Sequence, residues 1–139
     1  MTIGFLGAGN MAEAIISGVV RAGMVKAAAI CACDKVPQRL RELARRYRGL
    51  QTTEDVAIVM AKCEIVVLAV KPQDMGTLLA SIAPLVTGKH LFISIAAGKT
   101  LSGLQALLGA KARLVRVMPN LGLRVGAGMS VYCRGAKAR

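Results

Sequence analysis

The chain has 139 residues, of which 55% are hydrophobic but only 3% are aromatic, and its formal net charge is +12. This length fits one domain with a core of Ala, Val, Ile, Leu and Met, and no apolar run approaches the ~18–20 residues that cross a bilayer. The first residues show neither a basic leader nor an export cleavage pattern, so we expect a soluble, cytoplasmic protein.

Strands and helices are predicted to alternate along the chain. Short aliphatic runs indicate strands at residues 3–6, 28–33, 50–52, 65–70, 91–95 and 114–117. Between them, apolar residues at helical intervals and end signals indicate helices at residues 10–22, 37–48, 53 onward, 72–85 and 101–108. This alternation predicts an α/β fold of the Rossmann type, a mostly parallel, doubly wound sheet with helices on both faces. No further element is predicted after the loop at residues 118–128.

A glycine-rich turn follows the first predicted strand and opens the first helix. The segment Gly7-Ala8-Gly9-Asn10-Met11-Ala12 has the pattern G-x-G-x-x-A. Gly7 allows a tight turn, Gly9 lets the backbone approach a pyrophosphate, and Ala12 lets the helix pack closely on the strand. Free N–H groups at the helix start bind phosphates. The segment therefore predicts a dinucleotide-binding site rather than a purely structural turn.

The end of the second predicted strand is expected at the adenosine ribose. Asp34 stands there and can accept hydrogen bonds from ribose hydroxyls, as in NAD sites. Lys35 and Arg39 lie beside it and can bind a 2′-phosphate instead. The alternative is that Asp34 only caps the helix that begins at Pro37. These residues leave the choice between NADH and NADPH open.

The cysteines do not have the spacing of a metal site. Cys31 and Cys33 are two residues apart in an apolar strand, and His90 is the only histidine. We interpret Cys31, Cys33, Cys63 and Cys133 as buried hydrophobic residues in a reducing compartment, and we expect no bound metal.

Much of the positive charge lies in the predicted helix at residues 37–48. An apolar stripe is formed by Leu40, Leu43, Ala44 and Tyr47, and arginines occupy the other faces. Nucleic-acid binding is one interpretation, but no aromatic residues are interleaved for base stacking. We therefore interpret the arginines as a solvated helix face and expect no specific nucleic-acid partner.

Four segments together resemble one enzyme family. GFLGAGNMAEAI, VVLAVKPQ, ISIAAGKTL and RVMPN…VGAGM, in this order and at these distances, are similar to pyrroline-5-carboxylate reductase. The resemblance runs from Ile3 to about Cys133. It implies NAD(P)H-dependent reduction of a cyclic imine, 1-pyrroline-5-carboxylate, to proline in proline biosynthesis.

The resemblance also implies which residues bind each ligand. Pyrophosphate would lie at Leu6, Gly7, Ala8, Gly9, Asn10 and Met11, the ribose at Asp34 and Lys35, and the nicotinamide at Ala69, Val70, Lys71, Pro72, Ala96, Ala97 and Gly98. The substrate would be bordered by Met118, Pro119 and Asn120. We expect no catalytic side chain, either because positioning of the nicotinamide does most of the work and a protonated imine needs no general acid, or because the catalytic half is missing. From the residues alone, Ala96–Gly98 can equally be an ordinary turn, and Lys71 a solvated charge.

Some features depart from the family pattern. Leu121-Gly122 replace the usual Thr-Pro, Arg124 occupies an apolar position, and Val56 replaces an asparagine at the adenosine end. We expect the helical domain through which the family forms homo-oligomers to be missing, and no acidic residue follows Asp74. We therefore expect one Rossmann domain over residues 1–139, in a fragment or truncated product. The alternatives are a dinucleotide-binding fragment without turnover and a basic nucleic-acid-binding protein.

Overall fold

The computed structural model describes residues 1–118 and 131–138. The strands are β1 (Ile3–Leu6), β2 (Ile30–Cys33), β3 (Gln51–Thr53), β4 (Ile65–Leu68), β5 (Leu91–Ser94), β6 (Arg113–Met118) and β7 (Val131–Arg134). The α-helices are α1 (Asn10–Arg21), α2 (Pro37–Arg46), α3 (Val56–Lys62), α4 (Pro72–Ile82) and α5 (Leu101–Leu108), with short 3-10 turns at Ala27–Ala29 and Ala83–Leu85. None of these helices has both the length and the apolar character that a membrane-spanning helix requires.

The described strands form one sheet in the order β3-β2-β1-β4-β5-β6-β7. The first six strands of this order are parallel, and β7 pairs antiparallel with β6. In β1 the register aligns Leu6 with both Cys33 and Leu68, so three neighbouring strands end at the same level. The chain winds in opposite directions from β1 and β4, and the carboxyl ends of these strands are where such sheets bind ligands. The predicted Rossmann-type fold is confirmed.

The sheet carries a hydrophobic core on each face, because every residue of β1 and β2 is buried. One core includes Phe5, Ile16 and Leu40 and is covered by α1 and α2. The other includes Met75 and Phe92 and is covered by α3, α4 and α5. Each such side chain contributes about 1.5–3 kcal/mol on burial. The aliphatic composition thus supplies a three-layer structure with few aromatic residues.

The helix predictions differ from the structure mainly at their ends. Helix α5 has the predicted bounds: the Gly103 N–H donates to Thr100 Oγ1 at 3.1 Å, and Gly109 ends the helix at φ +94°. Helix α2 ends at Arg46, two residues early, because Tyr47 has an extended backbone. Ala44 was predicted in the apolar stripe of this helix, but it is exposed.

The prediction that no element follows β6 was wrong. Strand β7 pairs with β6, and Met118 lies opposite Val131. An antiparallel neighbour needs only a loop and no crossover helix, so the helix–strand alternation used to find the other strands carried no signal for it. The added strand pairs backbone groups of β6 that would otherwise form an open edge. The predicted departures at Leu121, Gly122 and Arg124 lie outside the described residues.

Candidate dinucleotide-binding site

A cleft of about 780 Å³ lies at the carboxyl ends of β1, β2 and β4. Its lining comes from four parts of the chain. They are the end of β1 with the glycine-rich turn (Leu6, Gly7, Gly9, Asn10), the end of β2 with the segment after it and Arg39 of α2 (Cys33, Asp34, Lys35, Val36, Arg39), the residues before and at the start of α3 (Glu54, Val56), and the segment after β4 with one face of α4 (Ala69, Val70, Lys71, Asp74, Thr77, Leu78, Ser81). Most of the predicted pyrophosphate and ribose residues therefore lie around one concave surface.

Gly7 closes the floor of this cleft by direct contact between backbones. Its φ is +107°, and a Cβ there would lie 2.7 Å from the Ala69 carbonyl carbon and oxygen and 2.9 Å from the Val70 nitrogen. The Gly7 N–H donates to the Cys33 carbonyl at 2.8 Å, and the Ala69 N–H donates to the Leu6 carbonyl at 2.8 Å. Both conformation and packing require glycine here, so the first predicted role of Gly7 has a structural basis.

Gly9 differs, because the surrounding protein leaves its side-chain position empty. Its φ of −80° and ψ of −168° suit any residue. A Cβ there would meet, among the described residues, only Arg39 Nη2 at 4.0 Å. Gly9 is the N-cap of α1 and supplies no side-chain cap, so the N–H groups of the first turn lack a capping side chain. The arrangement leaves room, donors and the positive end of a helix dipole for an anion beside Gly9.

Asp34 holds the glycine-rich turn to the segment that follows β2. Its Oδ2 accepts a hydrogen bond from the Ala8 N–H at 2.7 Å, and its Oδ1 accepts one from the Val36 N–H at 2.9 Å. It does not cap α2, whose N-cap is Val36. Each carboxylate oxygen can accept a second hydrogen bond, so Asp34 remains able to bind a hydroxyl in the cleft.

Arg39 reaches from α2 towards the start of α1. Its Nη2 donates to Asn10 Oδ1 at 3.2 Å, and its Nη1 lies 3.8 Å from Glu42 Oε2. The ion pair is partly exposed and contributes little to stability. Lys35 is exposed next to Asp34. Two cations thus flank the rim of the cleft beside Asp34, where a ribose phosphate can be bound.

The predicted nicotinamide and substrate residues are less close together than the predicted pyrophosphate and ribose residues. Ala8, Met11 and Pro72 flank the cleft without lining it. Ala96–Gly98 follow β5, the next strand beyond β4; Ala96 is buried, whereas Ala97 and Gly98 are exposed. Met118 ends β6 and is 45% exposed. Pro119 and Asn120 lie outside the described residues. These roles therefore stay predictions.

One face of α4 belongs to the cleft and was not predicted. Asp74, Thr77, Leu78 and Ser81 follow the i, i+3, i+4, i+7 spacing of a single helix face. The sequence already contained this spacing. A helix face that combines polar and apolar residues was the signal that could have indicated a role in the cleft. Only the position of α4 beside β4 shows that this face borders the cleft.

Comparison with known proteins identifies the family. The family model described as "NADP oxidoreductase coenzyme F420-dependent" matches residues 2–98. The chain belongs to this oxidoreductase family. The family description indicates use of NAD(P)H, as the sequence predicted.

Relatives of this chain carry a more specific name. Pyrroline-5-carboxylate reductase 3 of Rattus norvegicus is 43% identical over 136 residues, which are 98% of this chain and 49% of the rat protein. Pyrroline-5-carboxylate reductase of Methanosarcina acetivorans is 37% identical over 136 residues, covering 98% of this chain and 50% of that protein. The chain spans about half the length of these curated relatives. The resemblance predicted from four sequence segments is confirmed.

Solved structures of similarly named enzymes share the fold of this chain. A pyrroline-5-carboxylate reductase from Coxiella burnetii matches with a TM-score of 0.92 and 30% identity, over 98% of this chain and 50% of that chain. The Plasmodium falciparum pyrroline carboxylate reductase with NADP bound matches with a TM-score of 0.84 and 28% identity, over 98% and 48% of the two chains.

Proposed function

We propose that this chain binds NAD(P)H as part of an enzyme that reduces 1-pyrroline-5-carboxylate to proline, for proline biosynthesis in the cytoplasm. The observation that carries this proposal is the difference between the two glycines of the turn. Gly7 is required by the protein itself, whereas Gly9 leaves an empty position over the start of α1. An empty position beside free N–H groups is what a bound pyrophosphate requires. The proposed substrate is taken from the names of the relatives.

Each part of the cleft has a proposed task. The glycine-rich turn and the start of α1 bind the pyrophosphate, and Asp34, Lys35 and Arg39 bind the adenosine ribose. The nicotinamide lies towards Val70 and Lys71, with Ala96–Gly98 and the segment from Met118 to Asn120 on the substrate side. When bound, the reduced nicotinamide supplies the hydride for the imine carbon. The protein positions the two reactants, which can lower the barrier by up to roughly 7–11 kcal/mol.

The single histidine takes no part in this scheme. His90 precedes β5, at the edge of the sheet opposite the cleft, and is 1% exposed. Its Nδ1 accepts a hydrogen bond from the Thr87 N–H at 3.0 Å, and its Nε2 lies 2.8 Å from the Met60 carbonyl, to which it donates. Both ring nitrogens serve the structure. This agrees with a reaction in which the imine is already protonated and the protein provides no general acid.

We favour NADPH over NADH because of the charges at the ribose end. Lys35 and Arg39 supply two cations for a 2′-phosphate. The Asp34 carboxylate already receives two backbone N–H groups, and these donors offset part of its negative charge towards that phosphate. We also propose residues 1–139 as a single NAD(P)-binding domain. We propose a small cyclic imine as its partner rather than a specific nucleic acid, within the homo-oligomer typical of the reductases it resembles.

Cofactor oxidation with two candidate acceptors tests the proposal. The purified chain is titrated with NADPH, and NADPH absorbance is then followed with 1-pyrroline-5-carboxylate or with coenzyme F420, which the family description names. We expect tight NADPH binding and slow or absent turnover, because the chain corresponds to about half of each relative. A chimera joining residues 1–139 to the second half of the rat reductase should then produce proline.

The chimera decides the substrate. Proline formation that is lost when Gly9 is replaced by valine supports the proposal. F420-dependent oxidation by either protein would replace the imine with another substrate. NADPH binding by a folded chimera without proline formation would favour the second candidate, a dinucleotide-binding module without turnover. That candidate rests on the half-length match to the relatives.

A further inference from the structure

Two cysteines meet at the edge of the sheet opposite the cleft. Cys31 lies in β2, and its register partner in β1 is Gly4. Cys63 follows α3, and a Cβ at Gly4 would lie 3.1 Å from both the Cβ and the Sγ of Cys63. Gly4 therefore allows Cys63 to sit directly on β1, beside Cys31. Both cysteines belong to the same core, on the same face of the sheet.

The two thiols are chemically unequal. A hydrogen bond that the Cys63 thiol can donate to ionised Cys31 lowers the pKa of Cys31, and the nearby Lys62 charge lowers it further against the opposing effect of burial. The same hydrogen bond, together with burial, raises the pKa of Cys63. Cys31 is therefore the thiol that ionises first and acts as the nucleophile.

A small pocket gives access to this pair. It has a volume of about 170 Å³ and is lined by both cysteines together with the exposed Gln51 and Lys62. The Lys62 Nζ donates to Gln51 Oε1 at 3.1 Å across part of its rim. Cys31 and Cys63 are only 4% and 2% exposed, so the pocket admits a small reagent and excludes a large one.

Cys33 provides an internal contrast. It lies two residues after Cys31 in β2, on the same face and equally buried, but it does not line the pocket. Burial raises its pKa to about 11, and the nearby charges of ionised Cys31 and of Asp34 raise it as well. Burial alone therefore does not make a thiol in this strand reactive.

We propose that Cys31 and Cys63 are a peroxide-oxidisable dithiol that closes to an intrachain disulfide. The Cys31 thiolate attacks one oxygen of hydrogen peroxide, the O–O bond breaks, and a sulfenic acid forms with release of hydroxide, which takes up a proton to become water. The Cys63 thiol then attacks the Cys31 sulfur, the S–O bond breaks, and the proton of Cys63 leaves with the hydroxide as a second water. Two thiols are oxidised and one peroxide is reduced.

The disulfide would join β2 to the end of α3. Both elements also reach the cofactor cleft at their other ends, through Asp34 after β2 and Val56 at the start of α3. Oxidation thus links two elements that position the ribose end of the cleft. A dithiol reductant reverses the link, as for other disulfides.

The test is oxidation of the folded, reduced chain by equimolar hydrogen peroxide. Remaining thiols are blocked with an alkylating reagent, and the disulfide is located by mass spectrometry of an unreduced tryptic digest. Lys35 and Lys62 lie between the two cysteines, so trypsin separates them unless a disulfide holds the peptides together. We expect a mass loss of two hydrogen atoms, a peptide cross-linked through Cys31 and Cys63, and recovery of both thiols with dithiothreitol.

Three variants assign the roles. Cys33→Ser should form the cross-link to the same extent as the unmodified chain, and it removes any ambiguity between the two cysteines of that peptide. Cys63→Ser should stop at a sulfenic acid on Cys31 that dimedone traps, and Cys31→Ser should form neither product. Oxidation at Cys133 or Cys33 while Cys31 and Cys63 stay reduced would overturn the proposal. So would a cross-link that forms only after the chain is unfolded.

Discussion

Replacing Gly9 with valine is expected to remove cofactor binding while leaving the protein folded. The backbone at Gly9 is one that any residue adopts, and among the described residues a Cβ meets only Arg39 Nη2, at 4.0 Å. A valine N-cap costs about 0.5–1 kcal/mol. The reduced freedom of the unfolded chain returns about 0.4–1 kcal/mol. The free energy of unfolding should therefore change by less than about 1 kcal/mol.

The effect on binding should be far larger. The branched side chain of valine would occupy the position through which a pyrophosphate approaches the first turn of α1. Each hydrogen bond from a backbone N–H to a charged phosphate contributes about 1.5–3 kcal/mol. Loss of two such bonds weakens binding by roughly 3–6 kcal/mol, which is at least about 100-fold because 1.4 kcal/mol corresponds to a factor of ten.

The matched control for Gly9→Val is Gly18→Val, in the same helix. Gly18 is exposed, and a Cβ there meets no described residue within 4 Å. NADPH fluorescence titration and thermal unfolding are measured for both variants. We expect Gly18→Val to keep the NADPH affinity. If Gly9→Val is folded and binds NADPH within about threefold of the unmodified chain, the pyrophosphate does not bind at this turn.

Three further predictions concern the floor, the rim and the surface charge. Gly7→Ala should lower the free energy of unfolding, measured in urea, by more than about 2 kcal/mol. The reason is that φ is +107° and the new methyl group would lie 2.7 Å from the Ala69 carbonyl. A change under about 0.5 kcal/mol would contradict the claim that the structure requires glycine here. Replacing Lys35 and Arg39 with alanine should weaken NADPH binding about tenfold or more and leave NADH binding nearly unchanged, as two titrations can measure. An equal loss for both cofactors would show that these two residues do not bind the 2′-phosphate. Binding to duplex DNA in a mobility-shift assay should be weak and should disappear between low and physiological salt, whereas tight, sequence-selective binding at physiological salt would refute our interpretation of the arginines.

The residues of the glycine-rich turn could be predicted from the sequence because their requirements are local. A strand, a tight turn and a helix start follow one another directly, so the pattern from Gly7 to Ala12 specifies both the turn and the start of the helix. The bounds of α5 were predictable for the same reason, since Thr100 and Gly109 act within one turn of the helix ends. The four matched segments also predicted the family, which the described fold and the relatives confirm.

Other features depended on contacts between distant parts of the chain. The face of α4 borders the cleft only because β4 lies next to β1 in the sheet. Strand β7 is recognised by its pairing with β6 rather than by its own residues. Cys31 and Cys63 were predicted as buried hydrophobic residues, and they are buried; they meet because Gly4 lets α3 pack closely on β1. Local patterns determine turns and helix ends, but a contact between residues far apart in sequence is decided by which strands become neighbours, and only the tertiary structure provides that information.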